Sequence, residues 1–271
     1  MSMQPLIVAS VGNSRTKLGI FRGKDLDSFE AHFNTDIAGI VARLTELSKE
    51  GVSIALASVN DKVADAVQSE VEALSGNEVF RVGRDFPVPI AIALDDPSTI
   101  GQDRLLNAIG AYSKIGQACI VIDCGTATTV DFVDGEGTFQ GGAIAPGVRM
   151  NLKALHDQIP ALPAVEFSVP DGVRGPLGKD TRHAMTLGAI ASVRGLVHFL
   201  IDRYAEYYEA YPTVIATGGD AAMLFENDEL VEKIIPSLQL IGIHEAFVKA
   251  AEGDIETPDA DEEDVEADED D

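Results

Sequence analysis

Asp103 and Arg104 stand side by side at the head of Leu105-Leu106-Asn107-Ala108-Ile109-Gly110-Ala111-Tyr112, an apolar-periodic stretch that reads as a helix. A carboxylate there can draw a proton from a hydroxyl, and the neighbouring guanidinium can hold an anionic group. A first helical turn favours a carboxylate for its dipole alone, so the pair gains meaning only from company. Company comes at Asp123-Cys124-Gly125-Thr126-Ala127-Thr128-Thr129, which sets a carboxylate, a glycine and several hydroxyls in one tight turn. Glycine lets the backbone bend sharply and approach a ligand. Successive N–H groups and threonine hydroxyls in such a turn cradle phosphate, and the carboxylate can hold the accompanying cation. A related turn lies near the start, at Ser10-Val11-Gly12-Asn13-Ser14-Arg15-Thr16-Lys17. Aligned on their glycines, Gly12 matches Gly125 and Ser10 falls where Asp123 stands.

Both turns are framed by strands. Leu6-Ile7-Val8-Ala9 and Leu18-Gly19-Ile20-Phe21 flank the first, and Ala118-Cys119-Ile120-Val121-Ile122 and Thr129-Val130-Asp131-Phe132-Val133 flank the second. Two strand–turn–strand units opening two halves of the chain predict duplicated α/β domains that face each other across a cleft. A third strand is expected at Ser28 to Phe33, a helix from Asp36 to Lys49 capped by Thr35, a strand over Val52 to Ser58 and a helix from Asp61 to Leu74. That order is the order of a ribonuclease-H-like half-domain, as in sugar kinases, actin and heat-shock ATPases. The expected division is residues 1–115, residues 116–252 and a disordered acidic tail, 253–271.

Beyond the second turn, Phe139 to Gly147 is glycine-dense and reads as a loop leading to a helix near Val148. Prolines mark residues 160–178 as a long connection, after which Lys179-Asp180-Thr181-Arg182 opens a helix towards Tyr204. Thr213 to Thr217 is a strand ending at Gly218-Gly219-Asp220, another candidate nucleotide contact. Leu238 to Gly242 is expected as the last strand, followed by a helix from Ile243 to Ala251.

The 271 residues suffice for two domains, and the 45% hydrophobic content without Trp fits an aliphatic α/β core. No apolar run in the sequence reaches a membrane span, and Met1 to Pro5 lack the basic start of a signal peptide, so no membrane partner and a cytoplasmic setting are expected. Cys119 and Cys124 are too few and too close for a disulfide framework and read as core thiols. Of the net charge of -25, twelve acids fall between Asp254 and Asp271. Such a tail cannot bury enough apolar surface to fold. Nowhere is there the basic stripe that nucleic-acid binding requires.

Taken together, Gly101-Gln102-Asp103-Arg104, Asp123 to Thr129, Gly141-Gly142 with Pro146-Gly147, Gly178-Lys179-Asp180-Thr181 and Thr217-Gly218-Gly219-Asp220 resemble the type III pantothenate kinases, of the acetate and sugar kinase/heat-shock/actin superfamily. The resemblance spans about residues 6–251. It implies ATP-dependent phosphorylation of pantothenate, the first step of coenzyme A biosynthesis. It makes Asp103 the catalytic base, puts Gly101, Gln102, Asp103, Arg104 and Thr181 around pantothenate, with Arg104 facing its carboxylate, and sets Ser10 to Lys17 and Thr126 on ATP. Asp123 is implied to hold a monovalent cation, K⁺ or NH₄⁺, with Mg²⁺ accompanying ATP. The family forms homodimers, and the spacing of Met185, Leu187, Ile190, Val193, Leu196 and Val197 allows a helical contact near Thr181, or else turns these residues to their own domain core.

Two positions depart from the family pattern. Its first loop normally reads Asp-x-Gly-Asn-Thr, whereas here Ser10 replaces the aspartate that helps place magnesium. A tyrosine three residues before Pro97 is replaced by Leu94. Three readings follow: a working pantothenate kinase; a catalytically impaired relative that binds nucleotide or pantothenate and acts through protein partners; and a sugar or acetate kinase, which the Gly-Gln-Asp-Arg motif disfavours.

Overall fold

The computed structural model describes residues 5–48, 52–168 and 172–253. Its first sheet contains β1 (Leu6–Val11), β2 (Arg15–Arg22), β3 (Asp25–Phe33), β4 (Ser53–Ser58) and β5 (Val79–Arg81), in the order β3-β2-β1-β4-β5. The second contains β6 (Cys119–Cys124), β7 (Ala127–Val133), β8 (Phe139–Pro146), β9 (Thr213–Thr217) and β10 (Lys233–Ile234), in the order β8-β7-β6-β9-β10. Each is an antiparallel three-strand meander extended by two parallel strands. The duplication holds at the level of single residues. Ser10 is the fifth residue of β1 and Asp123 the fifth of β6, each one step short of the turn.

Among the described residues seven α-helices complete the halves: α1 (Ile37–Leu47), α2 (Asp61–Ser75), α3 (Gln102–Ile115), α4 (Val148–Gln158), α5 (Thr181–Tyr208), α6 (Ala221–Phe225) and α7 (Leu238–Glu252). Strand periodicity sorts their partners. Ile7, Ala9 and Val11 face Ile40, Leu44, Val67 and Val71 of α1 and α2, while Leu6 and Val8 face Leu106 of α3 and Leu240, Ile241 and Ile243 of α7. Leu105, Ala108 and Ala111 of α3 then meet Cys119, Val121 and Phe139 on the second sheet. The far face of that sheet carries Val148, Leu152, Met185, Val193 and Val197 from α4 and α5. Five layers result, with α3 and α7 between the sheets. This is why β1 and β6 are apolar without alternation, since both of their faces are covered. A fully buried Leu or Ile in these layers contributes roughly 2 kcal/mol.

The central helices approach closely. A Cβ on Gly242 would lie 1.9 Å from the Leu106 carbonyl oxygen, and one on Gly110 would lie 2.6 Å from that of Leu238. Only glycine fits at either position.

Several expectations are corrected. The cap of α1 is Asp36, whose carboxylate accepts from Gly39 N at 3.0 Å, and not Thr35. Phe139 to Pro146 forms β8 and not a loop, because Gly142 clears the Asp131 side chain of β7 and Gly141 lies against Leu94 without breaking the strand. Leu238 to Gly242 is the first part of α7 and not a strand. Leu238, Leu240, Ile241, Gly242 and Ile243 are all buried in the central layer, a tertiary demand that overrides the local alternation of Leu-Gln-Leu. The last strand is the short β10. By length and composition α5 is apolar enough to cross a membrane, contrary to the reading of the sequence, but Met185, Ala189, Val193, Val197 and Ile201 spend its apolar stripe on the second sheet. Cys119 and Cys124 are buried free thiols, and burial pushes both well above the ordinary thiol range. The acidic segment after Gly253 lies outside the described residues.

Candidate active site between the two sheets

α3 enters through a short helical turn at Pro97–Thr99 and takes Gly101 as its cap, without a side-chain cap bond. No side chain caps the helix start, and Asp103 in its first turn accepts from Arg104 N at 3.0 Å. The first two turns of α3 then send polar groups in different directions. Gln102 and Asp103 line a narrow crevice with Ser10, Ser58, Leu106 and Gln239. Arg104 reaches the second sheet and pairs with Asp131, and Asn107 donates to Asp123 Oδ2 at 2.9 Å.

Lys17 and Asp123, one from each half, feel each other's charge across this layer. Asp123, at the end of β6, keeps a little solvent access, yet burial raises its pKa above the ordinary carboxylate value. Lys17 and the Asn107 amide act against that rise, and the nearby negative charge of Asp103 adds to it. Lys17, from β2 of the opposite sheet, has its pKa lowered by burial, with Asp123 pulling the other way. Its Nζ donates to Pro236 O at 2.8 Å, just ahead of α7. Each of these charges is therefore felt by its counterpart from the other half. Gly218, at φ +94°, passes close to the same carboxylate, and a Cβ there would lie 2.5 Å from Asp123 Oδ1.

The remaining candidates divide. Ser10 is buried, and its hydroxyl donates to Gln239 Oε1. Val11 belongs to the core, and Gly12 N closes the turn on Arg15 O at 3.0 Å. Thr16 is buried and its hydroxyl is taken by Asn34, which also binds Gly12 O, so Thr16 braces the turn. Asn13 and Ser14 are exposed at the tip, and Arg15 lies over the Phe33 ring, 4.5 Å from its centre. Thr126 is exposed at the tip of the second turn, with Gly147 against its carbonyl. Gly101 is exposed beside Asp103. Thr181 is exposed at the start of α5, and no described contact joins it to Asp103 or Arg104. Leu94 packs in the core over Gly141.

Three site residues escaped the sequence reading. Asp131 passed as the polar side of an alternating strand, although its side chain is only 2% exposed. Asn107 was concealed in an apolar helix and Gln239 between two leucines. A polar residue inside an otherwise buried run is the signal that would have found all three.

Among the described residues no three of His, Cys, Asp or Glu converge into a metal cage. A divalent ion bound here would draw most of its ligands from phosphate and water, which is how magnesium commonly sits with nucleotides. The residues present fit a cation beside Asp123, because the buried Asn107 Oδ1 next to that carboxylate has no hydrogen-bond partner.

A family model described as type III pantothenate kinase matches residues 6–203. A relative of that description from Frankia alni is 34% identical over 260 residues, covering 90% of this chain and 99% of its own. The chain belongs to the type III pantothenate kinase family. A further type III pantothenate kinase, from Geotalea daltonii, is 33% identical over 248 residues, covering 88% of this chain and 96% of its own. Solved structures support the fold. Component A of the (R)-2-hydroxyglutaryl-CoA dehydratase of Acidaminococcus fermentans aligns over 92% of this chain and 99% of its own with TM-score 0.52 and 16% identity. A ROK hexokinase from Thermus thermophilus aligns over 92% and 100%, with TM-score 0.50 and 13% identity. At such identities the likeness is one of architecture: two ribonuclease-H-like halves of the actin-like ATPase kind.

Proposed function

We propose that this chain transfers the γ-phosphoryl group of ATP to the primary hydroxyl of pantothenate, giving 4′-phosphopantothenate, and that it works in the cytoplasm. The observation that carries this reading is the meeting of Asp103, Asp123 and Lys17 in one layer between two duplicated glycine turns. Phosphoryl transfer asks a protein chiefly for positioning and charge compensation. The turns at Ser10 to Lys17 and Asp123 to Thr126 offer backbone N–H groups to a triphosphate from both sides. Lys17 exchanges its bond to Pro236 for a phosphate oxygen, so a partly desolvated ammonium meets an anion rather than a neutral carbonyl. Asp103, at the head of α3, accepts the proton as the pantothenate hydroxyl attacks phosphorus, and ADP leaves with the charge. Magnesium bound with ATP, and a potassium or ammonium ion beside Asp123 and Asn107 Oδ1, would neutralise negative charge on the phosphates.

Ser10 brings a hydroxyl where the family commonly has a carboxylate, which leaves the anionic contribution to Asp123 and the substrate. Arg104 faces the acceptor's carboxylate. A homodimer is supported by α5, whose outward side carries the small exposed residues Ala184, Gly188, Ala191 and Gly195 beside the exposed Phe199. The test is ADP release coupled to pantothenate addition, with Mg²⁺ and K⁺ each supplied or withheld. Turnover that needs pantothenate supports the reading. Ligand binding without turnover would favour an impaired relative acting through protein partners.

A further inference from the structure

Asp131 is a buried charge that the mechanism leaves unused. It projects from β7 towards α3, and its carboxylate engages one side of the Arg104 guanidinium. Nε lies 3.0 Å from Oδ1 and 3.3 Å from Oδ2, and Nη2 also donates to Oδ1. The Cζ of the same guanidinium lies over the Phe139 ring, 5.4 Å from its centre. A guanidinium bound along its Nε–Nη2 edge has one end left that can donate two parallel hydrogen bonds. Among the described residues Nη1 has no partner, so the end formed by Nη1 and the outer N–H of Nη2 remains open.

The surroundings enforce this arrangement. The two side chains are 13% and 2% exposed, so swinging Arg104 away would strand a buried carboxylate. Gly142 stands directly opposite Asp131 in the β7–β8 register, and a Cβ there would lie 2.3 Å from Asp131 Oδ1. Glycine at 142 thus clears the space that the carboxylate occupies.

We propose that Asp131 is a positioning residue that aims the free end of Arg104 at the carboxylate of the acceptor. The inference rests on the reading above that Arg104 receives that carboxylate. Asp103 is the neighbouring residue on the same turn, so the distance between the acceptor's reacting hydroxyl and its anionic end is gauged by one rigid segment. A guanidinium aimed before binding gives up less freedom when the ligand arrives than one that must search for it.

The test compares pantothenate with the analogue whose carboxylate is a primary amide, using the full-length enzyme. Asp131→Asn offers one acceptor oxygen where two were used, and should raise KM for pantothenate about tenfold while leaving KM for the amide and kcat little changed. Arg104→Gln should raise KM for pantothenate by about a hundredfold and KM for the amide far less, the amide reading any cost of the stranded Asp131 carboxylate. Arg104→Lys keeps the charge but has no fork, and should resemble Arg104→Gln, since its ammonium stays with Asp131. If Arg104→Gln leaves pantothenate KM unchanged, the role of Arg104 itself is wrong. If Arg104→Gln weakens pantothenate but Asp131→Asn does not, or Asp131→Asn weakens both acceptors alike, the positioning role is overturned. An Arg104→Lys enzyme that binds pantothenate as the parent does would overturn it too, even if Asp131→Asn failed to fold.

Discussion

Adding one methyl group at Gly242 should cripple a site to which Gly242 contributes nothing directly. An ideal Cβ at that position lies 1.9 Å from the oxygen, 2.6 Å from the carbon and 3.0 Å from the Cα of Leu106. A comfortable carbon–oxygen approach is about 3.3 Å, so α3 and α7 must part by more than about 1 Å. These are backbone atoms, and no side chain can rotate to relieve the overlap. Overpacking of this kind costs about 1–3 kcal/mol, against which alanine's better helix propensity returns about 1 kcal/mol. The larger effect is on chemistry. Leu106 lies one turn beyond Asp103, and a displacement of about 1 Å in a catalytic group can cost about a hundredfold in rate. Gly242→Ala should therefore lower kcat/KM by about ten- to a hundredfold with a modest fall in urea midpoint. At Gly110 the Cβ would lie 2.6 Å from Leu238 O, a milder overlap, and Gly110→Ala should lose less on both measures. Steady-state kinetics and urea melts on the two variants decide the matter. A Gly242→Ala enzyme of parental activity, or Gly110→Ala proving the worse, would refute the argument.

Asp103→Asn should reduce turnover by at least about a hundredfold while leaving the melting temperature close to the parent; retained turnover in the coupled assay would remove Asp103 as the base. Ser10→Asp should lower the magnesium concentration for half-maximal rate, because a carboxylate then stands beside the phosphates, and a magnesium titration of kcat reads this directly. Burial pushes the Asp131 carboxyl from 3.8 up to about 6, with Arg104 opposing. Folding thus favours its protonated form, and stability should fall as the carboxyl ionises between about pH 4 and 6. Melting curves across that range should show the parent losing stability relative to Asp131→Asn as pH rises, and parallel curves would contradict it. Gly188→Arg should shift the enzyme towards monomer in sedimentation experiments, through a charged side chain on the outward face of α5; an unchanged sedimentation coefficient would move the interface elsewhere.

The strands around the two glycine turns were legible because a chain buried on both faces must be apolar throughout, as in Leu6 to Val11 and Cys119 to Ile122. The duplication was legible for the same reason, together with glycine at the bends. β8 and the start of α7 were hidden by partners distant in sequence. Gly142 is a strand residue that makes room for Asp131, and Leu238 to Ile243 coil because they must fill a gap between two sheets. At the site, Asp103 and Asp123 announced themselves through local motifs. Asp131, Asn107 and Gln239 did not, since each owes its role to a contact that only the folded chain brings about.

The last helix closes a surface laid down by the first strand. Until α7 is in place, Leu6, Val8, Phe21, Ala55 and Ala57 have only part of their cover on that side, from Val82, Phe86 and Leu106. A growing chain halted before Leu238 would therefore leave part of an aliphatic face unsealed, and its amino-terminal half stays incomplete until α7 has been made.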